Sequence, residues 1–223
     1  MIRTIVLILM TAVSVKAQDS LFVSEFCANL SQFSDTSDIG SGLHDLPGIL
    51  DRYAARDSVN FSHAFQDPFR FQYRLGRELM KGCPAFKVDR LYLPPKPVFD
   101  LEGILTVAQV DSLKILITKL NKENKVHLYI VTIDDFYPDS TITDFSNRYR
   151  EFWSPRITPE KGVVLIVFST SKREVRISTS HISMSYLTDD ECNQTNKVMT
   201  PHFKSGNYFD GLSAGLLTIK SML

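Results

Sequence analysis

The eight residues GVVLIVFS, from Gly162 to Ser169, contain no charge and are apolar at odd and even positions alike. In an extended chain successive side chains point to opposite faces, so this run has two apolar faces to hide. It is too short for a buried helix and is rich in β-branched residues, which makes it a central strand. Such a strand needs a layer of helices on each side, as in α/β folds whose sheet is at least partly parallel.

The neighbouring sequence has the elements to build those layers. Thr106 and Gln109 have capping-box spacing, and Val107, Val110, Leu113, Leu116, Ile117 and Leu120 give the following helix an apolar stripe. VHLYIVTI, residues 126–133, reads as a strand, and TITDFSNRYREFW, residues 141–153, as a helix turning Ile142, Phe145, Tyr149, Phe152 and Trp153 inward. After the central strand, the polar turn STSKRE leads into EVRIST, where Val175 and Ile177 alternate with Arg176 and Ser178, the pattern of a hairpin. Thr188 and Glu191 make a second capping box for a helix to about His202, and a last helix carries Leu212, Leu216 and Ile219. The expected fold class is α/β, a three-layer α/β/α sandwich with a mixed sheet, preceded by a small helical segment.

MIRTIVLILMTAVSVKAQ opens with a cation at Arg3, an apolar run from Ile5 to Val15, and small residues at Val15 and Ala17. That is the layout of a secretory signal peptide over residues 1–17, cut before Gln18; the apolar run falls short of the roughly 20 residues needed to cross a membrane. Without Arg3 and Lys16, the 25 Lys+Arg fall to 23 against 25 Asp+Glu. This balance predicts no nucleic-acid partner, which would call for clustered positive charge. Residues 18–90 read as helical, with helices over 20–33, 46–56 and 68–82, the last striped by Phe71, Leu75, Leu79 and Met80. LYLPPKP, residues 91–97, has prolines at 94, 95 and 97 and suits an extended linker to a domain over 98–223. None of Cys27, Cys83 and Cys192 has the spacing of a zinc site. In an oxidising compartment three pairings are open. Cys27 with Cys83 is favoured, because both lie in the first segment and Cys192 falls on an apolar helix face; three buried thiols are the alternative. Closing the Cys27–Cys83 loop would contribute about 4 kcal/mol in the chain-entropy model.

Several motifs occur together and in order: VFDLEGIL from Val98, Trp153, KGVVLIVF, VRIST, LTD from Leu187, and PHFKSGNYFDGLSAGL with Pro201, Phe203, Gly206, Tyr208, Gly211 and Gly215. This set resembles the TPM domain family over roughly residues 96–223, and a helical leader ending in CPAF is similar to those of exported Bacteroidetes proteins of this kind. The resemblance implies an α/β/α sandwich, often membrane-tethered, in which acidic residues are proposed to bind a divalent cation. Matched by motif, the candidate metal residues are Asp100 and Asp189, with Asp190 adjoining, and the candidate cation is Ca2+ or Mg2+. The chain departs from the family in two places. STSHISMSY stands where a glycine-rich turn with a glutamate is usual, and Ser154-Pro155 follows Trp153 in place of glycine. Ser180, His181 and Met184 therefore put side chains where glycine would let backbone N–H groups approach an anion.

Each remaining candidate has a structural reading beside its chemical one. GLSAG, Gly211–Gly215, fits a G-x-S-x-G nucleophile pattern, but no Asp, Glu or His follows Ser213, and small residues also serve close helix packing. His181, near Asp189 in the chain, could be an acid, a base or a ligand, or an exposed loop residue; His44, His63, His127 and His202 are scattered without HExxH spacing. Asp189 and Asp190 would suit the start of a helix, and Asp100 a loop bonded to its own backbone. Asp134-Asp135 would suit a turn ahead of Pro138 or a site at a strand end. The expected function is an exported, non-catalytic binding or accessory module of the cell envelope, periplasmic or secreted, with a protein or envelope component as partner. The alternative is a weak divalent-metal-dependent acid phosphatase. No membrane-spanning segment is expected in the mature chain.

Overall fold

A computed structural model describes residues 68–84, 95–154 and 160–223, together with Ser24, Cys27 and Ala28; for residues 68, 69, 71, 72 and 75 it describes the backbone alone. The chain divides into two compact units, Met1–Tyr92 and Leu93–Leu223, which places the boundary inside the proline-rich stretch. In the first unit α1 spans Pro68–Gly82 and buries Tyr73, Arg77 and Leu79. Cys27 and Cys83 form the favoured disulfide, Cα atoms 5.4 Å apart, while Cys192 is a buried free thiol. The leader and most of the helices expected over 20–33 and 46–56 lie outside the described residues, as do the side chains of Phe71 and Leu75.

The second unit holds β1 (Val98–Asp100), α2 (Val107–Glu123), β2 (Val126–Thr132), α3 (Ile142–Trp153), β3 (Gly162–Ser169), β4 (Glu174–Thr179), α4 (Asp189–Lys204) and α5 (Tyr208–Met222). The four strands lie in chain order; β1, β2 and β3 are parallel, and β4 returns antiparallel to β3. Every residue of β3 is buried, as its two apolar faces require. On one face Leu113, Ile117 and Leu120 of α2 join Leu128, Ile130, Val164 and Ile166, and are completed by Met199 of α4 and Leu212, Leu216 and Ile219 of α5. On the other, Trp153 of α3 packs against Phe99 and Tyr129, and Ser178 of β4 donates to Asn147. This is the expected three-layer sandwich with a mixed sheet.

The handedness of its connections is not readable from hydrophobic periodicity. β1–α2–β2 and β2–α3–β3 advance across the sheet in one direction, yet their helices cover opposite faces. The two crossovers must therefore have opposite hands, so one breaks the strong right-handed preference of parallel connections.

Both capping boxes form as their spacing predicts: Thr106 with Gln109 opens α2, and Thr188 with Glu191 opens α4. The prolines limit β1. Pro97 still accepts a bond from Ile130 N–H, but it has no N–H to give Leu128 C=O, the preceding ladder position of β2. Asn121 of α2 fills the vacated ladder position, its Oδ1 accepting from Leu128 N–H at 2.7 Å and its Nδ2 donating to Leu128 C=O at 3.3 Å. Leu128 is fully buried. Asn121→Ala leaves its peptide group unpaired, and the expected loss is about 1–3 kcal/mol, read as a lower urea midpoint at unchanged slope; an unaltered midpoint would refute this role.

Candidate functional site

Ligands in open α/β sheets gather at the carboxyl ends of the parallel strands. Here that end carries Asp100, the last residue of β1, and Thr132, the last of β2. Asp100 Oδ1 accepts from the backbone N–H groups of Gly103 (3.0 Å) and Ile104 (3.1 Å) and from the Thr132 hydroxyl, and Oδ2 accepts from Leu105 N–H (2.9 Å). Oδ1 thus accepts three bonds and Oδ2 one. Gly103, at φ +72°, lets the chain turn back around Asp100.

Glu102, in the same loop, reaches the β3–β4 turn. It accepts from Thr170 N–H (3.0 Å) and hydroxyl, and from Ser171 N–H (3.0 Å) and hydroxyl (2.8 Å). Its own N–H points at Thr132 Oγ1, 3.3 Å away. Asp100, Glu102, Thr132, Thr170 and Ser171 thus tie together the ends of three strands. Close by in the chain, Asp135 accepts from Tyr137 N–H and lies 3.9 Å from Lys172 Nζ. Asp139 is enclosed and ion-paired with Arg148 at 2.6 Å; burial raises its pKa against the opposing pull of Arg148.

The β4–α4 connector sits at the other end of the sheet. Ser180 Oγ accepts from Val163 N–H, Ser183 Oγ donates to Val163 C=O, and Ser183–Ser185 form a single 3-10 turn. Gly162 makes room for it: a Cβ there would lie 2.5 Å from Ser183 N. His181 is exposed, as are Ile182, Met184 and Tyr186. The connector is a hydrogen-bonded plug on the amino end of β3.

Asp189 and Asp190 follow this plug in the exposed first turn of α4. Asp100 pairs in register with Thr132, and Thr132 with Phe168, about 20 Å along β3 from Gly162. α4 measures the same separation, because Phe203, stacked on Phe168, is 14 residues beyond Asp189, about 21 Å of helix. Asp100 therefore lies at one end of the sheet and Asp189 with Asp190 at the other, too far apart to hold one cation. Among the described residues no group of three or more His, Cys, Asp or Glu side chains is placed to hold a metal ion.

Ser213 lies inside α5 rather than on a strand-to-helix turn. Gly211 and Gly215 face Phe203 and Met199 of α4 with no space for a Cβ, so GLSAG is a packing seam. His127 is half-buried and its pKa is lowered, first by burial and then by the charge of Lys161. His44 and His63 lie outside the described residues.

Residues 98–222 match the family model described as TPM domain. The chain belongs to the TPM domain family. Among solved structures it is similar to the N-terminal domain of a P. gingivalis protein, at 28% identity and TM-score 0.50 over 56% of this chain and 80% of that one. It is also similar to the BA42 protein of Bizionia argentinensis (18%, TM-score 0.49, 55% and 83%) and to the N-terminal domain of cg2496 from Corynebacterium glutamicum (10%, TM-score 0.46, 60% and 84%). No curated protein matches the chain.

Within this TPM domain Glu102, Thr132, Thr170 and Ser171 join Asp100, and none of the four stands out in the sequence as a site residue. Glu102 shares the DLEG loop with Asp100, but its partners are 68 and 69 residues away, a contact that no local spacing encodes.

Two measurements check this geometry. Gly162→Ala forces the connector off Val163, and the expected cost is about 1–3 kcal/mol, read as a lower melting temperature; an unchanged melt would mean the plug is loose. Burial first, then Asp189 and Glu191, push the Cys192 thiol up to about 11. The thiolate fraction at neutral pH is then negligible, so a thiol reagent should modify Cys192 only after denaturant is added; rapid labelling of the native protein would contradict it.

Proposed function

We propose that this protein is an exported, non-catalytic TPM-domain module that binds a protein or another envelope component, in the periplasm or outside the cell. One observation carries the reading: the carboxylates best matched to a cation site are committed elsewhere. Asp100 holds its own loop, and Asp189 and Asp190 start a helix at the far end of the sheet, where they interact well with its dipole. Ser213, the residue matching a nucleophile pattern, lies inside a helix. Export is supported by the leader-like first 17 residues and by a disulfide, which persists in oxidising compartments. Among the described residues no helix is long and apolar enough to cross a membrane.

The competing reading, a weak Ca2+- or Mg2+-dependent phosphatase, draws on one feature. Asp100 and Glu102 lie at the carboxyl ends of parallel strands, where ligands gather.

Turnover of p-nitrophenyl phosphate by the mature protein, with and without 1 mM of either cation, separates the two. The binding-module reading expects none above buffer and no cation-dependent change in melting temperature. A site with a dissociation constant near 10 μM would instead add about 2.7 kcal/mol, or about 5–10 °C. Metal-dependent turnover lost in Asp100→Ala would establish the phosphatase. N-terminal sequencing of exported protein is expected to start at Gln18; a retained leader would mean membrane attachment.

A further inference from the structure

β4 is an edge strand, and its alternation decides which groups it presents outward. Ser180 N–H donates to Val163 C=O, and the register follows from there: Ser178, Arg176 and Glu174 turn their backbone groups toward β3. Val175, Ile177 and Thr179 turn theirs outward. Thr179 C=O is taken by Arg150 Nη1 at 2.8 Å, while among the described residues nothing bonds the outward groups of Val175 and Ile177.

The side chains add a second observation. Glu174 is exposed and Arg176 half-buried, two residues apart on the sheet face opposite Ile177. Among the described residues neither has an ion-pair partner, and Arg176 Nε is buried without a hydrogen bond. A buried guanidinium nitrogen left in that state is costly.

Antiparallel pairing of β4 with β4 of a second copy about a two-fold axis has three registers that set Val175 opposite an outward residue of the partner strand. Centred on Ile177, it sets Glu174 and Arg176 opposite Ser180 and Ser178. Centred on Arg176, it sets like charges face to face, which is destabilising. Centred on Val175, it places Glu174 of each copy opposite Arg176 of the other, in the closer, non-hydrogen-bonded pair, while the two Val175 residues exchange both backbone bonds. Charge complementarity selects this last register. We propose that the protein forms a symmetric dimer through β4, joining two four-stranded sheets into one of eight strands, with Glu174–Arg176 pairs on either side of the axis. This extends beyond the binding-module reading and does not depend on it.

Sedimentation equilibrium of the mature protein between 1 and 200 μM tests the dimer. The wild type is expected to be dimeric at the upper concentrations. Glu174→Arg and Arg176→Glu should each weaken the dimer at least tenfold by opposing like charges, and the combined swap should restore it to within a fewfold of wild type. Val175→Pro deletes an outward N–H without touching the β3 ladder and should give a monomer that circular dichroism shows to be folded. A wild type that stays monomeric throughout, single swaps that leave the dimer intact, or a double swap that fails to restore it would each overturn the proposal.

Discussion

Everything in the second unit answers to one constraint, a strand with two apolar faces. β3 cannot sit at an edge or against water, so β2 and β4 flank it, one layer of α2, α4 and α5 covers one side, and α3 covers the other. Supplying both layers from successive crossovers sets a further condition. Two consecutive right-handed connections would stack both helices on the same face and leave the other without α3. Departure from the preferred hand in one connection is the counterpart of burying Val163, Leu165 and Val167 as fully as Val164 and Ile166.

The parts of this fold that could be read in the sequence are those whose causes are local. Thr106 with Gln109 and Thr188 with Glu191 mark helix starts because both partners lie within one turn. Trp153 and Tyr149 declare an inward face by spacing alone. The candidate site was legible only in part. Asp100 was identified, but grouping it with Asp189 requires knowing at which end of the sheet each lies. The hairpin already held that information: an antiparallel β4 returns the chain to the amino end of β3, so whatever follows must start there. The bond from Glu102 to Thr170 and Ser171 has no such signature, since it depends on how far β1 and β3 each extend before turning.

Those same carboxylates show how a family's acidic positions can serve architecture. Three backbone N–H groups after β1 would face the loop interior unpaired without Asp100, and the β3–β4 turn would lose four donor contacts without Glu102. Thr132 bridges the two, donating to one residue and standing against the N–H of the other. A cation at Asp100 would be left with Oδ2, because Oδ1 already accepts three bonds.

The two margins of the sheet are unlike. At β1 the strand is only three residues long, prolines precede it, and Asn121 takes the ladder position on β2 that Pro97 cannot fill. At β4 the backbone still offers groups outward. Filaments built by strand addition require each subunit to accept a neighbour on both flanks. With the other margin cut to the three residues of β1, strand addition here is self-limiting: once the open flank is covered, too short a ladder is left from which it can propagate.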